Sequence, residues 1–280
     1  MATERPPPLL RAESVAAGYG AGLVVREVTV SAGRGEIVTI LGPNGSGKST
    51  LLKALAGLLP VRSGQVWLGG TDLAGLPGEA RARRGLAYLP QEREVFASLT
   101  VRENLLMGGY HLGRAERKAA LARVHEAYPV LGPLDGTAAG RLSGGERKTV
   151  AMARLMMSSP SVVLLDEPTA NLAPVPSAEL LARDVAALAA AGVAVILVEQ
   201  RAAAAIAVSG WAYVLVGGAV EVQGPAAEVG ARDLGAVFLG AAAGDGPDGN
   251  GPAGHHPDGG DPDSVSPAGD GPGGAGGAAT

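Results

Sequence analysis

The nine residues Gly42-Pro43-Asn44-Gly45-Ser46-Gly47-Lys48-Ser49-Thr50 constrain this chain more than any other feature of it. They fit the pattern G-x-x-x-x-G-K-[ST], and their flanks supply the context that the pattern requires. The preceding Glu36-Ile37-Val38-Thr39-Ile40-Leu41 is rich in β-branched residues, as a strand buried on both faces needs. After the glycines, Leu51, Leu52, Leu55, Leu58 and Leu59 recur at helical spacing and predict a helix over Ser49–Leu59. A strand, a glycine turn and a helix wrap backbone N–H groups and the positive end of a helix dipole around a phosphate. Lys48 then sets a cation on the β- and γ-phosphates of a nucleotide, and the Ser49 hydroxyl can ligate Mg²⁺. Gly is abundant in the chain, but Lys occurs only at positions 48, 53, 118 and 148, so composition alone does not produce the match.

A second buried strand, Val162-Val163-Leu164-Leu165, ends in Asp166-Glu167. It delivers two carboxylates to the end of a strand where ligands bind in open α/β sheets. Asp166 is expected to hold Mg²⁺ directly or through water, and Glu167 to polarise the attacking water. Val193–Val198 reads as a third buried strand, separated from the second by a helix near Ser177–Ala191. Leu23–Val25 and Val28–Val30 read as antiparallel strands, Gly64–Leu68 as another, and Tyr213–Val216 with Ala219–Val222 as a hairpin joined by Gly217-Gly218. From about Arg93 to Met157 the pattern is mostly helical, most clearly over Arg114–Tyr128. The expected fold is α/β: a P-loop NTPase core with a mostly parallel sheet, an N-terminal antiparallel β subdomain, and an inserted helical subdomain over about residues 93–157.

Charge divides the chain in two. Residues 243–280 hold six Asp, six Pro and thirteen Gly with no Lys, Arg or Glu, and their prolines fall at 247, 252, 257, 262, 267 and 272. That composition predicts a disordered Gly/Pro/Asp-rich tail over 241–280 beyond a domain spanning 9–240. The formal charge of −4 belongs to the tail; without its six Asp the body sets 23 basic residues against 21 acids. A near-neutral body argues against a surface built to neutralise nucleic-acid phosphates. The absence of Cys excludes disulfides, thiolate metal sites and a Cys nucleophile. Ala202–Val220 approaches the length of a membrane span, but Ser209-Gly210 and Gly217-Gly218 break it into a short helix, a turn and a strand. Pro6-Pro7-Pro8 stands where a signal peptide needs an apolar stretch, so the chain is expected in the cytoplasm, with any membrane association made through a partner.

Leu142-Ser143-Gly144-Gly145-Glu146, just before the apparent helix Arg147–Met157, is a second anion-binding arrangement. Gly42–Thr50, Leu142–Glu146 and Leu164–Pro168, in that order, resemble the nucleotide-binding subunit of ABC transporters over about residues 9–240. The resemblance implies an ATPase that binds ATP and Mg²⁺. It implies that Tyr19 stacks on adenine and that Gln91 touches Mg²⁺ and the lytic water in a loop that passes motion to a membrane subunit. It also implies that Ser143, Gly144 and Gly145 contact the γ-phosphate of ATP held by a second ATPase subunit, in a head-to-tail dimer. Two positions depart from the family pattern. The family usually has His where Val198-Glu199-Gln200 places Gln200, which can hydrogen-bond a phosphate but carries no charge. The usual Asp of the dimer-contact loop is Ala173.

Val198-Glu199-Gln200, Asn171-Leu172-Ala173-Pro174 and Asn104–Tyr110 resemble one branch of that family. It contains the second ATPase of branched-chain amino-acid importers and the related urea and short-amide importers, with Arg93-Glu94 leaning slightly toward the urea type. Such importers add permease subunits and an external solute-binding protein, which would place this chain on the cytoplasmic face of the plasma membrane. A non-transport ABC ATPase is the alternative. Lys48 and Ser143 are only 95 positions apart, too close for the long coiled-coil insert of repair-type members, and a single cassette does not match translation-type members.

Overall fold

The computed structural model describes residues 5–240 except Arg93 and Asn171. The expected tail over 241–280 lies outside the described residues.

The chain opens with β1 (Pro8–Ala17), β2 (Val25–Gly33) and β3 (Ile37–Leu41), then α1 (Lys48–Leu55), β4 (Val61–Leu68) and β5 (Thr71–Asp72). α2 (Gly78–Ala82), β6 (Leu86–Leu89), α3 (Val101–Gly108), α4 (Arg114–Ala127) and α5 (Gly144–Met156) follow. Next come β7 (Val162–Asp166), α6 (Pro174–Leu180), α7 (Ala186–Ala190), β8 (Ala194–Val198) and α8 (Ala202–Val208). The described chain closes with β9 (Trp211–Val216), β10 (Ala219–Pro225), α9 (Ala226–Gly230) and α10 (Leu234–Gly240). One sheet is antiparallel, in the order β2-β1-β4-β5; the other runs β10-β9-β3-β8-β7-β6 and is parallel from β9 to β6.

The continuous apolar runs sort by the two-residue period of a strand. Val38 and Ile40 of β3, Val162 and Leu164 of β7, and Ile196 and Val198 of β8 share one core with α1 and the antiparallel sheet. Their neighbours Leu41, Val163, Leu165, Val195 and Leu197 share another with α5 and the helices between β7 and β8. Both faces of the central strands are therefore covered, which explains why they show no polar alternation. A third cluster joins α3, α4 and α5 through Val101, Leu105, Leu121, Val124, Val150 and Met157.

Three sequence expectations change. β6, which carries Tyr88, is a strand absent from the sequence expectations, because four residues give periodicity too little length to register. The helix expected near Ser177–Ala191 is present, with a π-helical turn over Leu181–Val185 between α6 and α7, but Leu23–Val25 and Val28–Val30 are not two strands: Val25–Gly33 is the single strand β2, and its antiparallel partner is β1. Most consequentially, α1 ends at Leu55 rather than Leu59, and Leu58 is left 61% exposed. Gly57 takes a left-handed φ of 74°, and a Cβ there would lie 2.8 Å from Arg81 Nε. Glycine thus both ends the helix and admits the buried guanidinium.

That guanidinium closes the helix. Arg81 donates to the carbonyls of Ala54 (3.0 Å) and Leu55 (2.8 Å) at the end of α1, and to those of Leu73 (3.0 Å) and Leu76 (2.9 Å). Its pKa lies below the usual arginine value because burial disfavours the charge, an effect opposed by Asp72. Removing the side chain leaves the Leu55 and Leu76 carbonyls without their donor, while Ala54 O keeps Gly57 N–H and Leu73 O keeps Leu76 N–H, so Arg81→Ala is expected to cost about 2–4 kcal/mol in chemical denaturation. Arg81→Lys should recover only part of this, since an ammonium cannot span the fork. A loss under about 0.5 kcal/mol would show that water replaces the guanidinium freely. α1 presents Lys48 and Ser49 at its other end, so this buried arginine supports the glycine loop from below.

Candidate functional site

The loop between β3 and α1 is shaped by what surrounds its glycines. Gly42 has φ 153°, and a Cβ there would meet Leu215 O at 2.1 Å and Ser46 Oγ at 2.7 Å. Gly47 has φ 100° and caps α1. Lys48 is buried and folds back to donate to the carbonyls of Gly42 and Pro43, each at 2.8 Å. Burial lowers its pKa below the ordinary lysine value, while Glu167 and Asp166 pull the other way. Ser46 is buried, with a hydroxyl that has no partner. A cation satisfied only by main-chain carbonyls, an orphaned hydroxyl and the start of a helix are the chemistry of a phosphate cradle. Pro43, Asn44, Gly45 and Thr50 complete the loop, with Asn44 and Gly45 on its open side and Thr50 buried.

The carboxylates arrive from β7, which lies beside β8 and one strand from β3. Asp166 accepts from Ser49 Oγ at 2.9 Å and from the Tyr88 hydroxyl at 3.1 Å. Burial raises the Asp166 pKa, while the bonds from Ser49 and Tyr88 lower it. The Tyr88 phenol is pushed well above its usual range by burial and by the neighbouring Asp166 charge. Among the described residues no group of three or more His, Cys, Asp or Glu could hold a metal unaided. Ser49 and Asp166 suit Mg²⁺ only where phosphate oxygens and water supply the remaining ligands, which is its usual mode beside a nucleotide.

Glu167 follows immediately and is held in a left-handed conformation, φ 49°. Such a backbone costs about 1–3 kcal/mol for a non-glycine residue and persists only where its surroundings enforce it. Its N–H donates to Val198 O at 2.9 Å, and its Oε2 accepts from two amides, Gln91 Nε2 and Gln200 Nε2, each at 2.7 Å. Gln91 lies just after β6, and Gln200 just after β8. Three strand ends therefore converge on one carboxylate oxygen.

Two sequence-nominated groups stand apart from this cluster. Tyr19 is 54% exposed in the turn after β1, where its carbonyl accepts from Gly22 N and Arg62 reaches the next carbonyl, that of Gly20. The exposed ring does not support a packed-strand role for Tyr19. The turn leads to Val24, whose carbonyl lies 3.2 Å from where a Cβ on Gly47 would sit, so it borders the phosphate loop. Ser143, Gly144 and Gly145 are exposed at the N-terminus of α5. The Ser143 hydroxyl accepts from Glu146 N and donates to Glu146 Oε2 at 2.7 Å. Among the described residues no hydrogen bond joins Ser143–Gly145 to the glycine loop or to the carboxylates. Tyr88 and Glu199 are contacts that sequence reasoning did not nominate, although Glu199 lies within the Val198–Gln200 segment singled out above.

The model of the ABC transporter family matches residues 25–170. The probable branched-chain amino acid transport ATP-binding protein LivF of Archaeoglobus fulgidus is 40% identical over 221 residues, 79% of this chain and 94% of that one. The high-affinity branched-chain amino acid transport ATP-binding protein BraG of Pseudomonas aeruginosa is 39% identical over 76% of this chain and 91% of its own. The lipopolysaccharide export system ATP-binding protein LptB of Acidithiobacillus ferridurans is 36% identical over 79% of this chain and 92% of its own. The crystal structure of the ADP conformation of MJ1267, an ATP-binding cassette of an ABC transporter, superposes with a TM-score of 0.76 at 25% identity. It covers 85% of this chain and all of that one.

Proposed function

This chain belongs to the ABC transporter family as one of its ATP-binding subunits, and from that premise we propose that it hydrolyses ATP to power an importer of branched-chain amino acids. The observation that carries the catalytic reading is the Glu167 carboxylate, held at one oxygen by Gln91 and Gln200 beside the Ser49–Asp166 pair. In this reading Glu167 accepts a proton from the attacking water, and the two amides fix the carboxylate and then contact the water and the γ-phosphate. Gly42–Thr50 binds the phosphates, with Lys48 leaving its two carbonyls for phosphate oxygens, and Tyr19 stacks on adenine. Ser49, Asp166 and Gln91 would hold Mg²⁺, which supplies charge neutralisation between the phosphates.

The exposed Ser143–Gly145 turn supports a second ATPase subunit, because this helix N-terminus is displayed to solvent and, among the described residues, makes no hydrogen bond to the glycine loop of its own chain. We take residues 9–240 as the ATPase domain and about 93–157 as its helical part, a division supported by the separate core of α3, α4 and α5. Between α1 and α3 a groove of about 280 Å³ is lined by Leu58, Tyr88, Met107, Tyr110, His111 and Arg154. Leu58, Met107 and Tyr110 are exposed, which suits a permease segment docked there. No helix among the described residues is long and apolar enough to cross a membrane, so attachment to the cytoplasmic face would run through that permease.

The test is reconstitution in proteoliposomes with the permease subunits and a solute-binding protein. ATP turnover should rise with leucine-loaded binding protein and not with urea, and labelled leucine should move toward the compartment that holds the ATPase. Stimulation by urea or a short amide, or movement the other way, overturns the assigned cargo or direction. Within the same assay Gln200→Ala should lower turnover about tenfold with ATP affinity within about threefold. An unchanged rate would remove Gln200 from the reaction.

A further inference from the structure

Glu199 is a buried carboxylate, 2% exposed, that the reading above does not use. It lies one residue before Gln200, at the end of β8, and its Oε1 accepts from both Thr169 N (3.0 Å) and Thr169 Oγ1 (2.7 Å). Thr169 is buried and stands two residues after Glu167. The turn Glu167-Pro168-Thr169 is thus fastened to β8 twice, by Glu167 N–H to Val198 O and by Thr169 to Glu199. On the other side of Gln200, Arg201 donates to Leu172 O at 2.8 Å and to Ser177 Oγ at 2.5 Å. Gln200 is therefore flanked by two residues that grip the segment leaving Glu167, while its own amide grips the Glu167 carboxylate.

We propose that Glu199 is a positioning residue: by clamping Thr169 to the end of β8 it enforces the strained Glu167 backbone and aims the Gln200 amide at the Glu167 carboxylate. The proposal rests on the reading of Glu167 as the catalytic base. Its physical basis is a closed ring, running from Glu167 through Thr169 and Glu199 to Gln200 and back to Glu167. A left-handed non-glycine residue needs such over-determination. Burial pushes the Glu199 carboxyl pKa up, the Thr169 bonds oppose this, and the Glu167 charge adds to the rise. A buried carboxyl that is unfavourable in itself, yet holds the neighbouring turn by two bonds to one oxygen, fits a role in geometry rather than in stability.

The experiment uses the full chain in its assembled transporter, with ATP turnover across ATP concentrations and amide hydrogen exchange over residues 165–172. Glu199→Ala should lower kcat about tenfold or more with KM for ATP within about twofold, and should speed exchange at Thr169 about tenfold or more. Glu199→Gln keeps an acceptor oxygen for Thr169 and should restore both readouts to within about threefold of the parent. In the Glu199→Ala background, adding Gln200→Ala should change kcat by less than about twofold, because the amide has already lost its aim. A Glu199→Ala kcat within about twofold of the parent, or additive Glu199 and Gln200 effects, overturns the proposal. So does equal impairment by Gln and Ala with both proteins melting early. Glu167→Gln run alongside separates the two readings. If it retains turnover, the base assignment fails; if it is inactive while Glu199→Ala is silent, only the positioning role fails.

Discussion

Glu167→Gln is expected to lower ATP turnover about 10²–10⁴-fold, the range a positioned general base supplies, while ATP affinity holds or rises. The substitution is nearly isosteric. In the parent both amide donors converge on one oxygen, Oε2, each at 2.7 Å. The single oxygen of a glutamine can receive both, so Gln91 and Gln200 keep their places and the left-handed turn keeps its bond to Val198 O. What is lost is the negative charge and the capacity to take a proton. Affinity should not fall, because removing a carboxylate beside a phosphate site relieves like-charge repulsion. The measurement is steady-state turnover together with equilibrium binding of a fluorescent ATP analogue. A variant that turns over within about threefold of the parent would show that the proton leaves by another route and that the convergence of three strand ends on Glu167 is structural.

The parts of this site that were legible in the sequence are those in which one short segment contains the whole chemical idea. Gly42–Thr50 carries its own turn, cation and hydroxyl. Leu164–Glu167 carries its own strand and acids, and the structure places the Ser49 hydroxyl against Asp166 as those two segments imply. The central strands were legible for a related reason: burial on both faces makes each a nearly continuous apolar run, which stops at Gly42 after β3, at Asp166 in β7 and at Glu199 after β8. What was not legible depends on partners far away in the chain. Tyr88 sits in a run too short to show a strand period, and its role emerges only when β6 pairs with β7 and carries its hydroxyl to Asp166. Glu199 carries no signal of its own in the sequence, because its partner Thr169 lies thirty residues earlier in the chain. Leu58 fits the helical spacing of α1, yet Gly57 and the distant Arg81 end the helix first and leave Leu58 facing out. Gln200 stands where the family pattern has His. Its amide lies on Glu167 here, so the substitution keeps a donor at that position while removing the group that would titrate near neutral pH.

Tyr88 also bears on how a docked partner would be felt. Its ring lines the groove beside Met107 and Tyr110, and its hydroxyl rests on Asp166. Gln91 lies three residues further along the same segment and rests on Glu167. Displacing β6 and the loop after it would therefore move both carboxylate contacts together. Just beyond, Glu94 pairs with Lys148 on α5, five residues after Ser143. Tyr88, Gln91 and Glu94 thus touch Asp166, Glu167 and the helix that presents Ser143, which gives the groove a physical line to the carboxylates and, in the proposed dimer, to the turn that would meet the second nucleotide.

Lys48→Met should weaken ATP binding at least about a hundredfold and abolish turnover, since charge-assisted contacts to phosphate oxygens contribute about 1.5–3 kcal/mol each. Unlike most changes at a buried residue, it should not destabilise the nucleotide-free chain. Lys48 is buried as a cation whose pKa is lowered chiefly by desolvation, and its two bonds go to main-chain carbonyls of a loop built to receive something else. A base with a depressed folded pKa costs stability at all pH values below that pKa. The cost is relieved as pH rises through it toward the ordinary value of 10.5. The nucleotide-free variant should therefore melt at or above the parent near neutral pH, and its advantage should shrink as the pH is raised through the depressed pKa. Saturating ATP reverses the order, because only the parent gains the stabilisation that ligand binding confers on the folded state. Thermal melts of both proteins across pH, with and without ATP, read all of this in one experiment. A variant that melts well below the parent without nucleotide would mean that the Gly42 and Pro43 contacts hold the loop together. A variant whose melting point ATP raises as much as the parent's would mean that Lys48 does not engage the phosphates.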